Sequence, residues 1–267
     1  RRTTTKCIPI RRVPAIAVAA TRSKALASVD APKAGPSAAS LVLFTDFGWQ
    51  DPYVGQVKAV LAAEAPGIPV IDLLHAVPDF NAHAGAQLLA ALAPAFPVGS
   101  VFFCVVDPGV GTARAALVVE ADGRWYVGPD NGLVSIVAAR ASRYRAWHIH
   151  WQPDGSSASF HGRDLFAPIA AWIAAGKFPA DKLTLVAEPN IQFDAADLPR
   201  ILYIDHYGNA WTGIRGGLAD ATSQLEVKGK RLPWRRVFSE AAKGEVFWYQ
   251  NSVGLIEISA NRANASA

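Results

Sequence analysis

The chain contains no methionine, not even at its first position, and only two cysteines among 267 residues. Processing or an incomplete reading frame at the start would each account for the missing initiator. Cys7 lies in a polar leader and Cys104 inside an apolar run, so neither a disulfide framework nor a cysteine metal knuckle is expected. Cys104 reads as a small core hydrophobe. Long apolar runs are missing as well. No segment approaches the roughly 20 residues that cross a bilayer, so no membrane partner is expected. Positive charge is scarce where it would count, although the net charge of +4 first suggests otherwise. Eight of the 26 Lys and Arg precede Leu41 against one acid, Asp30, which leaves 18 basic and 21 acidic residues in the remainder, a net of −3. A nucleic-acid partner is therefore not expected.

What the chain has is material for a core: 51% of its residues are hydrophobic and eight are Trp, enough for one large domain and a small one. Residues 1–40, with four Pro and no sustained period, read as a disordered or processed leader. Arg11-Arg12 before V-P-A-I-A-V-A-A, with A-L-A at 25–27, is faintly like a secretory signal. Its apolar stretch is short and contains Pro14, so a cytoplasmic location is expected, with export as the alternative.

From Leu41 the pattern is strand (L-V-L-F), helix (Tyr53 to Glu64), strand (Pro69 to Leu73), helix (His83 to Ala95) and strand (Val101 to Val106). This alternation predicts a doubly wound, mostly parallel α/β sheet. A-L-V-V-E and W-Y-V-G flank Asp122-Gly123, a strong hairpin signal. Gly132 to Ala141 is predicted helical, Tyr144 to His150 a strand, and Leu165 to Ala174 a helix that Asp164 would cap. After a linker at about 176–198 only short strands follow, at 201–204, 210–214, 225–227, 245–249 and 255–258. They predict a small C-terminal antiparallel β-barrel domain. The expected division is 1–40 leader, 41–188 N-terminal α/β domain and 189–267 C-terminal β-barrel domain.

The strand Val101 to Val106 ends in D-P-G-V-G-T-A-R, which leaves Asp107 at the carboxyl end of a buried strand and carries Arg114 back towards it. Charge beside a core must be paired or used, so this turn is the expected active centre. A dinucleotide or triphosphate cradle fits poorly: a hairpin rather than a helix follows, a third glycine is lacking, and no Lys-Ser or Lys-Thr is present. Four further polar clusters should gather with it: Asp46 with Asp51, P-D-N at 129–131, His161 with Arg163 and Asp164, and D-H-Y-G-N at 205–209. Two-metal phosphoesterase signatures are absent and no metal site is expected. His75 is expected to support the site from behind, and His148 and His150 read as surface residues.

The runs T-D-F-G, V-V-D-P-G-V-G-T-x-R, G-P-D-N-G-L, F-H-G-R-D-L-F-A-P, I-D-H-Y-G-N and N-S-V-G-L-I-E-I-S resemble, in order from Leu41 onward, the S-adenosyl-L-methionine hydroxide adenosyltransferase (SAM hydrolase) family, related to fluorinating and chlorinating enzymes. The resemblance implies a homotrimer with active sites at subunit interfaces. It also implies hydrolysis of S-adenosyl-L-methionine to adenosine and L-methionine by water at C5′, with the methionine compound as substrate and no cofactor. Its catalytic Asp, Arg and His fall on Asp107, Arg114 and His161. Substrate contacts fall on Asp46 (ribose), Asp51 and Asp205 (methionine side), Asn209 (adenine side), Ser252 (methionine), Phe80 and Phe238 (flanking the nucleoside) and Asn131 in the P-x-N-G-L turn.

Three departures from the halogenating relatives bear on the nucleophile. Their long insertion before P-x-N-G-L is absent, Asp107 stands where they carry Tyr, and Gly162 stands where one of them has Ser. Val253 also lacks the basic side chain found beside that Ser252 position in fluorinating enzymes. The alternatives are halogenase-type displacement and a non-catalytic nucleoside-binding trimer. Physically, a sulfonium is a good leaving group, so in-line positioning of water is the chief requirement.

Overall fold

The computed structural model describes residues 10–12, 39–217 and 222–266. They fall into two compact units divided between Ala195 and Ala196, with a short strand, β1 (Ile10–Arg12), belonging to the second.

The first unit alternates strands and helices: β2 (Leu41–Thr45), α1 (Tyr53–Glu64), β3 (Val70–Leu74), α2 (Ala82–Leu92), β4 (Val101–Val105), β5 (Ala116–Ala121), β6 (Arg124–Pro129), α3 (Ser135–Arg140), β7 (Tyr144–Ile149), α4 (Ala167–Ala174) and β8 (Leu183–Val186). The seven strands form one sheet in the order β3-β2-β4-β6-β5-β7-β8. β2 runs parallel to β3 and to β4, and β4 parallel to β6. The remaining ladders, β6 to β5, β5 to β7 and β7 to β8, are antiparallel. Every residue of β2 and β4 is buried, as expected of strands covered on both faces. Leu41, Leu43, Val101, Phe103 and Val105 meet Val57 and Leu61 of α1 and Ile169 and Ile173 of α4 in one cluster, while α2 packs with α3.

The β5–β6 hairpin turns at Asp122 and Gly123, with φ of 46° and 77°, the doubly left-handed geometry that an Asp-Gly pair adopts readily. The reading of Asp164 as a helix cap is corrected. A single π-turn, Gly162–Phe166, comes first and α4 begins at Ala167. The Asp164 carboxylate instead pairs with Arg163 and accepts the Ser157 N–H at 2.8 Å. Those partners hold it inside the turn, and Pro168, with no N–H to satisfy, fits the first turn of α4 without a cap.

The second unit contains β9 (Leu198–Ile204), β10 (Ala210–Arg215), β11 (Leu225–Val227), β12 (Lys230–Leu232), β13 (Val246–Gln250) and β14 (Leu255–Ala260). Its ladders are antiparallel and form a four-stranded sheet, β13-β14-β10-β9, and a three-stranded one, β1-β11-β12. One apolar cluster draws on both, including Ile214, Ile258, Leu225 and Trp248. Among the described residues no ladder closes the sheets into a barrel. β12 is not among the strands expected from the sequence. Lys228 and Gly229, at φ of 51° and 77°, make the hairpin that starts it.

Most of the leader lies outside the described residues. At Ile10–Arg12 the expectation of an unstructured leader is corrected, since these residues extend the β11 edge. A three-residue hairpin strand leaves N–H and C=O groups unpaired along its edge, and an extended segment completes them.

Candidate active site

Because β2, β3, β4 and β6 are parallel, their carboxyl ends share one edge of the sheet. The residues that follow them, Asp46, His75, Asp107 and Asn131, are thereby brought to that edge.

Arg114 lays a two-pronged contact on Asp107, Nε donating to Oδ1 at 3.1 Å and Nη2 to Oδ2 at 2.5 Å. Only 9% of the Arg114 side chain and 5% of Asp107 are exposed, so the pair sits in the low-dielectric wall of the turn. Nη1 donates to the Ala115 carbonyl at 2.8 Å, and Nη2 also lies 3.3 Å from Nδ1 of His161. A guanidinium can only donate, so Nδ1 accepts and the ring hydrogen is assigned to Nε2. The guanidinium also stands over the Phe166 ring, 5.4 Å from its centroid. Four of its five N–H groups are thereby engaged, and one on Nη1 has no partner among the described residues.

The π-turn sets His161 against this pair. Gly162 lets the backbone approach two rings: a Cβ there would meet Phe47 at 3.1 Å and Phe160 at 3.2 Å, so a serine would force both to shift. Partial burial, and then the Arg114 charge, lower the pKa of His161, outweighing the opposing effect of Asp107 and Asp164. The ring is therefore neutral at pH 7.

Asp46 is held by the Phe80 N–H, which donates to Oδ2 at 3.0 Å. Phe80 itself has φ of 59° and is 75% exposed. Burial raises the Asp46 pKa, and the carboxylates of Asp79 and Asp107 push the same way against the Phe80 hydrogen bond. Asp51 is exposed just before α1. Asn131 spends its side chain on the backbone, Nδ2 donating to the Val106 carbonyl and Oδ1 accepting from Leu133, which braces the turn beside Asp107. Its neighbour Asp130 accepts from His148 at 2.9 Å and from the Asn190 N–H at 3.0 Å. The surface reading of His148 is thereby corrected: the buried carboxylate of Asp130 gives it a partner, whereas His150 is exposed.

The other predicted residues lie in the second unit. Asp205, Asn209, Phe238 and Ser252 line one cavity of about 820 Å³, together with Trp211 and Tyr249. Such a volume suits a nucleoside-sized ligand. Asp205 organises its own turn: Oδ1 accepts the N–H groups of Tyr207 and Asn209, and Oδ2 the Asn209 side-chain amide, each at 2.9 Å. Phe238 stands edge-on to Phe247 and Tyr249.

The cavity residues not singled out from sequence include Trp211, Tyr249, Asn251 and, most buried of its charged groups, Glu257. Glu257, 2% exposed, accepts from Tyr249 Oη (2.8 Å), Ser259 Oγ (2.9 Å) and Asn251 Nδ2 (3.1 Å). Asn251 in turn accepts the N–H groups of Val253 and Leu255, which fixes the loop bearing Ser252. The available signal was an acid in the middle of the apolar strand L-I-E-I-S.

Comparison with known proteins places these residues in a family. Residues 41–184 match the model of the SAM hydroxide adenosyltransferase N-terminal domain, and residues 199–267 that of its C-terminal domain. The chain belongs to the SAM hydroxide adenosyltransferase family. It is 40% identical over 239 residues to the (R)-S-adenosyl-L-methionine hydrolase of Thermus thermophilus, covering 83% of this chain and 91% of that one. The protein of the same name from Salinispora tropica is 35% identical over 237 residues, with 83% and 90% covered. A fluorinase from Nocardia brasiliensis is 24% identical over 273 residues, with 84% and 91% covered. The solved structure of an uncharacterized conserved protein from Thermotoga maritima superposes with a TM-score of 0.77 at 29% identity, covering 85% of this chain and 94% of that one.

Proposed function

We propose that this protein hydrolyses S-adenosyl-L-methionine to adenosine and L-methionine, and that the Asp107–Arg114–His161 cluster holds the attacking water. The cluster itself carries the proposal: a guanidinium locked by a buried carboxylate, beside a neutral imidazole, keeps one N–H available for a water oxygen. Each Asp107 oxygen retains a lone pair for a water hydrogen. As the new C5′–O bond forms, the C5′–S electron pair moves to sulfur, which leaves as the neutral thioether of methionine. The water loses one proton, and the acceptor left open within the cluster is the Asp107 carboxylate; His161, whose Nδ1 accepts from Arg114 and whose Nε2 carries the ring hydrogen, takes the proton only by giving up the Arg114 contact. Arg114, whose guanidinium only donates hydrogen bonds, stabilises hydroxide character without serving as a base. The reaction as proposed draws on no cofactor.

Asp46 is assigned to the ribose hydroxyls and Asp51 to the methionine side, while Asp205, Asn209, Phe238 and Ser252 in the second-unit cavity hold the remaining parts of the substrate. We extend the proposal to a homotrimer in which subunits complete one another's sites, and to closure of the C-terminal sheets as a small barrel. Exposed Trp49, Phe80 and Tyr207 beside these residues support the first, and the apolar cluster shared by both sheets supports the second.

The test is incubation with each sulfonium epimer of S-adenosyl-L-methionine in water labelled with heavy oxygen, with and without halide, with products weighed by mass spectrometry. The label should enter the 5′-hydroxyl of adenosine. A 5′-halo nucleoside, or adenosine without label, would overturn the assignment of water as nucleophile.

A further inference from the structure

Behind the Asp46 loop runs a line of polar groups, buried at Thr45 and His75 and reaching solvent at Lys58, that the proposed reaction does not consume. Thr45, the last residue of β2 and fully buried, places Oγ1 2.7 Å from Nδ1 of His75, whose side chain is 1% exposed. His75 Nε2 lies 3.0 Å from Oδ1 of Asp72, and Lys58 of α1 donates to Oδ2 of Asp72 at 2.6 Å. The directions follow from the ends inward. A lysine donates and a carboxylate accepts, so Nε2 carries the ring hydrogen and Nδ1 is left to accept the Thr45 hydroxyl. The same hydroxyl oxygen accepts the Phe47 N–H at 3.2 Å. The His75 carbonyl accepts the Gly48 N–H at 2.7 Å, and the Thr45 carbonyl accepts the Val77 N–H at 3.2 Å. Trp49 closes over the imidazole edge-on, with centroids 4.6 Å apart. After Asp46 the Phe47 and Gly48 N–H groups find their acceptors in this chain of contacts, and before it the Thr45 carbonyl is tied to the Val77 N–H.

We infer that Thr45 and His75 are positioning residues for the substrate's ribose: they fix the backbone on either side of Asp46 so that its carboxylate meets the sugar in a single orientation. The inference rests on the assignment of Asp46 to the ribose proposed above. The buried part of the chain, Thr45 and His75, has its polar groups paired in one arrangement, whereas removing the Thr45 hydroxyl leaves the Phe47 N–H and His75 Nδ1 without these partners and releases the loop. The same geometry makes the effect one of binding, because no member of the chain reaches Asp107, Arg114 or His161 in the contacts above.

The experiment compares Thr45→Val, Thr45→Ser and His75→Gln in the full-length protein, reading KM and kcat for S-adenosyl-L-methionine and Kd for adenosine, with thermal melts to verify folding. Thr45→Val should raise KM and the adenosine Kd about tenfold, the scale of one buried hydrogen bond lost, with kcat within about threefold. Thr45→Ser, which restores the hydroxyl, should recover both constants to within about twofold. His75→Gln keeps reach towards Asp72 and loses the Thr45 contact, so it should repeat the KM effect and serves if Thr45→Val does not fold. In an Asp46→Ala background the same substitutions should cost little more, since the group they position is gone. A folded Thr45→Val or His75→Gln enzyme with unchanged KM would overturn the inference, as would a loss that adds in full to that of Asp46→Ala. Asp46→Ala with unaltered adenosine affinity would instead remove the ribose assignment itself, and the inference with it.

Discussion

Replacing Arg114 by Ala removes the two prongs on Asp107, the contact to His161 Nδ1 and the one N–H left for water. Two effects of different size follow. In stability, the change strands a carboxylate whose side chain is 5% exposed, and breaking a buried pair from one side typically costs about 3–5 kcal/mol. For a domain of this size each kcal/mol lowers Tm by about 2–4 °C, so a fall of roughly 6–20 °C is expected. In catalysis, loss of one preorganised donor at the reacting oxygen should lower kcat by about 10² to 10³. Affinity should not fall, because the proposal sets the lost charge against the water, and that charge would if anything repel the sulfonium. Arg114→Lys restores the charge without the planar fork and should recover little of either loss. The assay is a thermal melt for stability, single-turnover mixing with S-adenosyl-L-methionine below the variant's Tm for chemistry, and calorimetry with adenosine for binding. Normal single-turnover rates in a variant that no longer binds nucleoside would refute the reasoning, since Arg114 would then be a binding residue.

His161 titrates below its ordinary value because burial and Arg114 oppose its charge, so the folded state binds fewer protons than the unfolded chain just below pH 6.5. Its stability contribution should be complete above that pH and lost as pH falls through the folded value, and urea melts from pH 5 to 8 should show this dependence weakened in His161→Gln. If His161 takes the water's proton, the acid limb of kcat should shift in that variant as well. Glu257→Ala should cost more than about 2 kcal/mol in denaturant melts, because the buried donors of Tyr249, Ser259 and Asn251 lose one shared acceptor. Deleting residues 1–38 removes the β1 ladder from β11 and should lower Tm by a few degrees while leaving kcat intact. An insoluble product would show that the leader's contribution exceeds three residues of backbone pairing.

The legible parts of the chain were those where a local signal and the global fold agree. Leu41 to Thr45 and Val101 to Val105 are apolar runs too short for a helix, and the parallel sheet buries them completely. Asp122-Gly123 announces its own turn. Asp107 and Arg114 are seven residues apart across a turn with two glycines, close enough for sequence to bring them together. His161 was expected at the same strand ends as part of the 161–164 cluster, but its place in the trio came from the family motif, because no local spacing links positions 114 and 161. What stayed hidden depends on distant partners: β12 needs β11 to be a strand, Ile10–Arg12 needs an open edge, and Asp164 ranks as a cap until Arg163 and the Ser157 N–H are seen to hold it. Glu257 and the Thr45–His75–Asp72 chain were hidden for the same reason. A buried polar residue is intelligible only with its partners, and those lie on other strands.

The charges around Asp107 also bear on how an arginine can serve a cationic substrate. In the proposed displacement positive charge leaves sulfur and appears on the attacking water, so a carboxylate beside the sulfur would stabilise the ground state more than the transition state and slow the reaction. A carboxylate beside the water has the opposite effect. The site separates these two places. Asp107 is paired with Arg114, which makes that corner nearly neutral towards an approaching sulfonium while leaving lone pairs for the water. His161 is kept uncharged by burial and by Arg114, so it adds no repulsion. Asp46, the next acid along the edge, has its pKa raised by burial and has one oxygen engaged by the Phe80 N–H, while it still accepts hydrogen bonds from hydroxyls. In the proposed arrangement a lone pair of Asp107 meets the atom that becomes positive, and this would favour water, which has a proton to lose, over halide, which has none.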